Sequence, residues 1–458
     1  MTATLKDAYK LLHDGTLALA NVEHNGMRID TKKLDKTIDN VNKEIEKRET
    51  KLKDTKVWKK WKDRYKDKAN IDSRFQLGIV FFQDMGFETD ARTETGRPKT
   101  DEETLSKVNH PFAKTYLGLQ KLKKLASTYL KGIRKEVCNG FLHPAFNLNL
   151  VKTFRGSSSG PNFQNIPIRD KSIGRLIRSC FIPREDHILV ELDYGQLEVR
   201  IAACYNKDPV LIEYINDPTK DMHRDMAAEC YMLTQEQVSK TARFCAKNQF
   251  VFPQFYGSYY IDCSRNLWNA IDTDNLETAD GVSLKEHLRS KGIKKLGNCN
   301  PSISPADGTF ERHIMEVEQD FWGLRFQVYD EWKKEWWAKY QETGTFKMLT
   351  GFEVKGVYRR NEVINSPVQG TAFHILLWSL IQLNNWLVNH NKKTKLIGQI
   401  HDSILADVHK SELKGFLKLA KRIMTVEVRK HWDWIIVPLE VEAEASNVNW
   451  FEKQEIEI

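Results

Sequence analysis

The chain has 458 residues, and at about 150 residues per domain this length predicts roughly three domains. Apolar residues make up 41% and charged residues 29%, which is typical of a folded globular protein and excludes a mainly disordered one. The 70 Lys and Arg exceed the 62 Asp and Glu, and this net charge of +8 weakly favours a polyanionic partner. The seven cysteines form no CxxC pair, which argues against a zinc site or a disulfide framework.

The first 148 residues are predicted to be helical and rich in lysine. Residues 31–70 carry 15 Lys and Arg against 8 Asp and Glu, and their sparse apolar residues recur at helical spacing. This pattern predicts a helix or helix pair with a wide basic face. That face is either a solvated helix surface or one that follows a phosphate backbone. After a turn or loop over 92–99, a second basic helix is predicted over 120–135.

Beyond residue 141 the pattern predicts an α+β fold, with a small antiparallel sheet built from distant segments and a long helical insert between them. Residues 262–308 read as a polar, irregular surface insertion. The apolar segment 372–388 is too short and too polar to span a membrane, so no membrane contact is expected. The predicted strands are 187–194, a hairpin over 397–408 and a strand near 435–441. The predicted helices are 221–257, 314–342, 368–388 and 411–430.

Two carboxylates occupy positions where a predicted strand ends. Asp193 follows the apolar strand, and Asp402 lies at the tip of the hairpin. Alone, the first would more often cap the next helix and the second would be a turn residue. If the two strands are neighbours, the carboxylates face each other, so one is neutralised or a cation lies between them. Oxygen ligands on rigid strands suit Mg²⁺, and two such ions clamp an in-line phosphoryl displacement.

The segments around these carboxylates resemble a known family. Residues 193–200 (DYGQLEVR) resemble motif A of the family A DNA polymerases, the DNA polymerase I class, and 400–403 (IHDS) resemble motif C. Between them, 243–257 is similar to motif B. Three further segments resemble other elements of the family: 155–167 (RGSSSGPNFQNIP), 221–224 (DMHR) and 365–372 (NSPVQGTA). The resemblance therefore covers essentially the whole chain.

The resemblance implies a right-hand polymerase architecture of thumb, palm and fingers. It implies a template-directed DNA polymerase that extends a primer 3′-OH with dNTPs in DNA replication, located in the bacterial cytoplasm or a phage-infected host cell. The sequence is bacteriophage-like and begins at the thumb, so no proofreading in the same chain is expected. A separate proofreading exonuclease or replisome proteins are the further partners expected. The implied domains are thumb 1–148, palm 149–208 and 352–458, and fingers 209–351.

The resemblance also assigns individual roles. Asp193 and Asp402 are the implied catalytic residues and hold two Mg²⁺ ions, with Mn²⁺ as a substitute and the carbonyl of Tyr194 as a further ligand. Glu198 is the implied steric gate against a 2′-OH. The other implied nucleotide-binding residues are Gln196, His223, Arg243, Lys247, Phe252 and Tyr256. The implied DNA-binding residues are Arg155, Asn162, Gln164, Asn165, Arg169, Gln369 and His401.

These residue types suit the implied roles, although each also has an ordinary structural explanation. Arg243 and Lys247 are one helical turn apart, so they share a face that can hold a triphosphate together with His223. Phe252 would pack against the nucleotide sugar and Tyr256 near the templating base. Without the motifs, the basic pair would read as a solvated face, the aromatic residues as core and the asparagines as loop caps.

Two departures from the family pattern carry predictions. Ser403 stands where motif C has Glu, so we expect an active enzyme with an altered metal preference. Motif B has one extra residue between Lys247 and Phe252, and Pro253 follows within the helix. One extra residue rotates a helix face by about 100°, and proline removes a backbone donor. A single π-bulge near Val251 would absorb both effects, and we predict one there.

Two alternatives to a DNA polymerase remain. A ribonucleotide-incorporating relative is disfavoured by Glu198 and Gln196. A catalytically degenerate DNA-binding subunit of a replisome is disfavoured because Asp193, Asp402 and the basic residues of motif B are all intact.

Overall fold

The structure is a computed structural model that describes residues 3–89, 91–167 and 170–458. Its N-terminal part is helical, as the sequence predicts. π-helical turns extend α4 over Ile79–Asp84 and join α6 to α7 over Leu125–Leu130. The elements are α1 (Leu5–Asn25), β1 (Met27–Arg28), α2 (Thr31–Lys53), α3 (Lys56–Tyr65), α4 (Arg74–Gly78), α5 (Glu102–Ser106), α6 (Pro111–Lys124) and α7 (Lys131–Glu136).

The lysine-rich segment forms the predicted helix pair, α2 and α3. The pair is separated at Thr55, whose hydroxyl accepts a hydrogen bond from the Trp58 N–H and so caps α3. Most of the sparse apolar residues are buried, and Trp58 and Trp61 join an apolar cluster with residues of α4, α5 and α6. Only a narrow stripe of α2 is buried, so charged side chains occupy most of the rest of its surface.

The middle of the chain passes from the sheet into a long helical region. Its strands are β2 (Phe141–Leu142), β3 (Ala145–Asn147), β4 (Ser157–Ser159) and β5 (His187–Tyr194). Its helices are α8 (Lys171–Arg178), α9 (Leu197–Asn206), α10 (Pro209–Asn216), α11 (Met222–Tyr231), α12 (Lys240–Ala246), α13 (Phe252–Phe255), α14 (Tyr260–Thr273), α15 (Leu284–Ser290), α16 (Phe310–Asp320) and α17 (Gln327–Thr343).

The C-terminal part returns to the sheet and completes it. Its elements are β6 (Thr345–Lys347), β7 (Glu353–Lys355), α18 (Arg360–Asn389), β8 (Lys395–Ile400), β9 (Ser403–His409), α19 (Leu413–Lys421), α20 (Val428–His431), β10 (Val441–Ser446) and β11 (Gln454–Ile456). The main sheet has the order β11-β10-β5-β9-β8 with antiparallel neighbours throughout. The predicted strand β5 and the predicted hairpin β8–β9 are therefore confirmed and lie side by side.

Several predicted boundaries are wrong. The strand expected near 435–441 begins only at Val441, because Pro438 cannot donate to a ladder and Ile435 and Val437 before it are buried in a loop. The helix expected over 314–342 is two helices, which a π-turn at Phe321–Arg325 and the non-helical Phe326 separate. The helix expected over 368–388 starts earlier, at Arg360, where the Glu362 side chain accepts the Arg359 N–H.

The segment 262–308 is not an irregular surface insertion. It contains most of α14 and all of α15, and Leu267, Leu284 and Leu288 are fully buried in the largest apolar core. The prediction failed because the polar residues dominate the composition, whereas the apolar ones recur every three or four residues along α14.

Helix α18 is the longest helix and organises the interior. α1 packs along α18 and β8, and Gly15 permits the close approach because a Cβ there would lie 2.9 Å from the Leu377 side chain. Pro367 lies inside α18, and the Val363 carbonyl, whose usual donor a proline lacks, accepts instead from Trp336 Nε1 at 3.1 Å. Across the described ranges, no helix is both long and apolar enough to cross a membrane.

Candidate active site

The two candidate catalytic carboxylates lie at the same edge of the sheet. Asp193 on β5 is directly opposite Ser403, the first residue of β9, and Asp402 precedes Ser403 in the turn. The Tyr194 N–H donates to the Asp402 carbonyl at 3.2 Å, which ties the two strand ends together. β5 and β9 are thus neighbours, which is the condition under which the two carboxylates come together at one end of the sheet.

The pKa values of both carboxylates are raised, because nearby basic groups do not offset burial and the repulsion from neighbouring acidic groups. Desolvation by the surrounding protein, followed by repulsion from Asp402 and Glu191, raises the pKa of Asp193 to about 7, although the residue keeps some exposure to solvent. Burial and the charge of Glu198 raise the pKa of Asp402 to about 6, against the opposing effect of Arg155. A cation beside the pair would relieve this repulsion.

The donor set fits Mg²⁺ supplied with further ligands. In the part of the chain that the structure describes, no three or more His, Cys, Asp or Glu side chains are arranged to hold a metal ion. Mg²⁺ commonly binds through one or two carboxylates together with waters and substrate phosphates, so Asp193 and Asp402 suffice. The Tyr194 hydroxyl is hydrogen-bonded in the core to Ser379 and Met424, so only its backbone carbonyl could take part.

The turn that carries Asp402 is held by a glutamine network. The His401 backbone is left-handed, with φ at 48°. Its N–H donates to Gln164 Oε1 and its carbonyl accepts from Gln399 Nε2, both at 2.6 Å. Gln164 also donates to Gln399 Oε1 at 3.0 Å. Gln164, expected to contact DNA, is therefore engaged in fixing the motif C turn, and burial lowers the pKa of the His401 ring.

Motif B contains the predicted π-bulge. Residues Lys247–Val251 form a π-turn between α12 and α13, immediately before Phe252 and Pro253. The extra residue is absorbed there, so Lys247 and Phe252 stay on one face, with Lys247 Nζ 5.3 Å from the Phe252 ring centroid. The His223 ring meets Phe252 edge-on at 5.6 Å. The structure thus brings these three predicted nucleotide-binding residues together.

The basic end of motif B pairs with an acidic side chain, Asp221. Arg243 Nε donates to Asp221 at 2.6 Å, and this contact helps to hold the pKa of Asp221 below its usual value. Burial and the charges of Lys247 and Arg243 lower the pKa of His223 to about 4, and burial and Arg243 lower that of Lys247. Within the described residues, neither ring nitrogen of the buried His223 has a hydrogen-bond partner. A phosphate group bound here would add negative charge beside Lys247 and accept a hydrogen bond from His223.

His223 and Arg243 line a cleft of about 330 Å³. Gln196 lines it together with His223 and Arg243, and its backbone is left-handed with φ at 52° at the start of α9. Asp221, the partner of Arg243, was not among the predicted site residues. The segment DMHR had pointed to it, and its acidic side chain beside an arginine was the available signal.

Glu198 is held by two neighbours. Tyr256 Oη donates to one carboxylate oxygen, and Arg155 Nη1 lies 3.8 Å from the other. Burial and Glu198 together raise the pKa of Tyr256. Asn365 of α18, a residue missed as a site candidate, donates to the Tyr256 carbonyl at 2.8 Å. Gln369 lines the same small cavity as Glu198 and Tyr256.

The remaining predicted DNA-binding residues are less closely tied to the cleft. Asn162 and Asn165 are exposed on a short 3₁₀ turn, and the Asn162 side chain accepts the Gln164 N–H at 3.1 Å. Arg169 lies outside the described residues. The roles of all these residues in binding DNA stay predictions.

Comparison with known proteins identifies the family. The family model described as DNA polymerase family A matches residues 33–278 and 350–452, which together make up most of the chain and include both carboxylates. The chain belongs to DNA polymerase family A. A similar fold appears in a solved structure, the POL domain of Pol1 from M. smegmatis in complex with DNA primer-template and dNTP. The two structures match with a TM-score of 0.74 at 23% sequence identity. The match covers 96% of this chain and 70% of the M. smegmatis chain. The predicted α+β, right-hand architecture is confirmed.

Family A relatives come from bacteria and a phage. DNA polymerase I of Streptococcus pneumoniae is 31% identical over an alignment of 402 residues. The alignment covers 84% of this chain and 40% of that protein. DNA polymerase I of Bacillus subtilis is 27% identical and covers 95% of this chain and 44% of that protein. The DNA polymerase of Bacillus phage SP01 is 26% identical, with shares of 78% and 37%. The chain thus spans about two fifths of the length of these relatives.

Proposed function

We propose that the chain is a DNA-directed DNA polymerase that extends a primer 3′-OH with dNTPs. One observation carries the proposal: Asp193 and Asp402, two carboxylates that repel each other, lie at one end of the sheet, and Gln196, three residues after Asp193, lines the cleft that His223 and Arg243 also line. Nucleotidyl transfer needs both features, because it must hold a triphosphate and neutralise charge where the phosphoryl bond changes. Family membership supports the same activity.

The basic residues and the two carboxylates have different proposed roles, which follow from their side-chain chemistry. Arg243 offers a planar fork for phosphate oxygens and Lys247 a point charge, and Asp221 keeps the arginine side chain extended toward the cleft. The neutral His223 ring, whose nitrogens have no hydrogen-bond partner among the described residues, can donate to a phosphate oxygen from either tautomer. When bound at Asp193 and Asp402, two Mg²⁺ ions would supply the charge stabilisation for in-line displacement, and Mn²⁺ would substitute.

Selection of deoxynucleotides is proposed to reside in Glu198. Its carboxylate is held between Tyr256 and Arg155, so its bulk is fixed beside Gln369 and Phe252 in the small cavity. A fixed side chain excludes an extra hydroxyl more effectively than a mobile one, because it cannot move aside. This arrangement disfavours the ribonucleotide-incorporating alternative.

Primer–template DNA is the proposed macromolecular partner. The protein in the M. smegmatis structure is bound to DNA primer-template and dNTP, and this chain shares its fold. The lysine-rich faces of α2 and α3 suit a sequence-independent contact with phosphates. A thumb, palm and fingers division at the predicted boundaries, a role in replication with a separate exonuclease, and a bacterial or phage-infected cytoplasm are part of the same proposal.

The test is primer extension on a primed template with Mg²⁺ and each dNTP. We expect the parent chain to extend the primer, and we expect Asp402→Asn to abolish extension while leaving the dissociation constant for the same DNA within about twofold. A parent chain that binds DNA tightly without extending it under any divalent metal would favour the degenerate replisome subunit instead.

A further inference from the structure

Ser403 occupies the position beside Asp193 where the family pattern has a carboxylate. Its hydroxyl oxygen lies 2.9 Å from the Ile400 carbonyl oxygen and 3.2 Å from Glu191 Oε1. The single hydroxyl proton is therefore shared between a carbonyl and a carboxylate. A hydroxyl donor stands where an acidic group was expected, and one of its two acceptors is itself an acidic group on the neighbouring strand.

Glu191 lies two residues before Asp193 on β5, so both side chains emerge on the same face of the sheet. Its second oxygen accepts from Trp450 Nε1 at 2.8 Å and from Lys453 Nζ. The side chains of Glu191 and Lys453 are only 13% and 6% exposed. Glu191 is thus a carboxylate fixed on both oxygens, and Lys453 compensates its charge.

We propose that Glu191 is a positioning residue that replaces the missing motif C carboxylate and acts through Ser403. This inference rests on the proposed function, since it concerns the placement of Asp402 for nucleotidyl transfer. The negative charge has moved from β9 to β5, and Ser403 connects it to the turn. The turn that carries Asp402 is then held at both ends, by the glutamine network at His401 and by Glu191 at Ser403.

The identities of the two residues match each other. A glutamate at position 403 would bring a second carboxylate against Glu191, which like-charge repulsion disfavours. A serine there instead donates to Glu191 and keeps the Ile400 carbonyl satisfied. Alone, Ser403 lacks the expected charge, and Glu191 is a carboxylate within a strand that pairs with Lys453. Together they restore one acidic group next to the catalytic pair.

A purely structural role for Glu191 is the competing explanation. Through Trp450 and Lys453 it also attaches the C-terminal segment to the sheet, and the Arg178 guanidinium stacks 3.9 Å above the Trp450 ring. In that case, the loss of Glu191 would lower the melting temperature and leave Ser403 irrelevant to metal binding. The two explanations therefore differ in what Ser403→Ala does.

The experiment is a double-mutant cycle with Ser403→Ala, Glu191→Ala and both changes together. Three quantities are measured for each variant: Mn²⁺ affinity by electron paramagnetic resonance, kcat of primer extension, and Tm. We expect Ser403→Ala to weaken Mn²⁺ binding and lower kcat by about tenfold each, with little change in Tm, because it removes an outer contact of the ligand turn. The double variant should be no worse than Glu191→Ala alone, because both changes break one connection.

Two controls sharpen the cycle. Ser403→Thr keeps the hydroxyl and should retain the parental Mn²⁺ affinity. Glu444→Ala removes the other partner of Lys453, at 2.6 Å, without contacting Ser403, and its effect should add to that of Ser403→Ala. Parental Mn²⁺ affinity and kcat in Ser403→Ala would overturn the proposal without any need for the Glu191 variant to fold.

A charge-relocation variant tests the same idea in reverse. Ser403→Glu alone should weaken Mn²⁺ binding by about tenfold, because two carboxylates then compete for one space, and Ser403→Glu combined with Glu191→Ala should recover to within about threefold of the parent. Additive losses would overturn the proposal. If the parent itself failed to extend a primer, the proposed function would fail, whereas the Mn²⁺ cycle would still report whether Glu191 and Ser403 are coupled.

Discussion

Replacing Tyr256 with phenylalanine should loosen the discrimination between deoxynucleotides and ribonucleotides. The change removes only the hydroxyl that donates to Glu198, and it leaves that carboxylate with Arg155 at 3.8 Å as its remaining ion-pair partner. A hydrogen bond to a charged group contributes about 1.5–3 kcal/mol, and about 1.4 kcal/mol corresponds to a factor of ten. We therefore expect the ratio of kcat/KM for dCTP over CTP to fall at least about tenfold.

The assay compares single-nucleotide insertion of dCTP and CTP opposite the same template guanine. Tyr259→Phe is the matched control, because Tyr259 is 55% exposed and lies three residues away on the solvent side. It should keep the parental ratio. If Tyr256→Phe also kept the parental ratio while Glu198→Ala lost it, the bulk of Glu198 would act without being held, and the reasoning from the hydrogen bond would be refuted.

Three further predictions concern the phosphate site, the carboxylate pair and the packing of α18. Asp221→Ala should raise KM for dNTPs several-fold with a smaller change in kcat, because it releases the Arg243 side chain rather than removing it. The raised pKa values of the two carboxylates mean that the metal-free folded chain binds more protons than the unfolded chain from about pH 4 to 7. Their contribution to stability is therefore lost as pH rises, so metal-free Tm should fall toward pH 8, and Asp402→Asn should reduce that fall. Gly370→Ala should lower the free energy of unfolding by roughly 1–3 kcal/mol, because its methyl group would collide with the Thr153 carbonyl.

Each of these outcomes has a measurement that could contradict it. Steady-state kinetics would refute the first if kcat alone fell. Thermal melts in a chelator across pH would refute the second if the Asp402→Asn curve had the slope of the parent. For the third, Gly415→Ala is the control, because nothing lies within 4 Å of the added methyl group and the helix should gain up to about 1 kcal/mol. Equal unfolding energies for the two alanine variants would count against the collision.

Local patterns in the sequence predicted the sheet edge and the bulge in motif B. The strand at Asp193 and the hairpin at Asp402 were visible as apolar runs that end in a carboxylate, and Pro253 with one extra residue indicated the π-turn. Each of these features lies within a single segment, and the extra residue is counted against the motif B that the segment resembles. For that reason they could be found before any contact between distant segments was known.

The contacts between distant segments could not be predicted in the same way. Nothing near Gln164 in the sequence indicates that it binds the backbone of His401, 237 positions away. The partnership of Ser403 with Glu191 depends on strand register, and a shift of one residue would have moved Glu191 to the other face. The helices within 262–308 were missed because composition outweighed periodicity.

The proline in α18 has a mechanical consequence. Pro367 removes one backbone hydrogen bond of α18. It lies between Asn365, which donates to the Tyr256 carbonyl, and Gln369, which lines the cavity beside Glu198. Because Trp336 supplies the missing donor to Val363, the interruption leaves no unsatisfied carbonyl. The first turns of α18 are therefore tied to α17 through Trp336 and to motif B through Asn365, whereas the remainder packs in the core. One continuous helix thereby anchors motif B to the interior of the molecule.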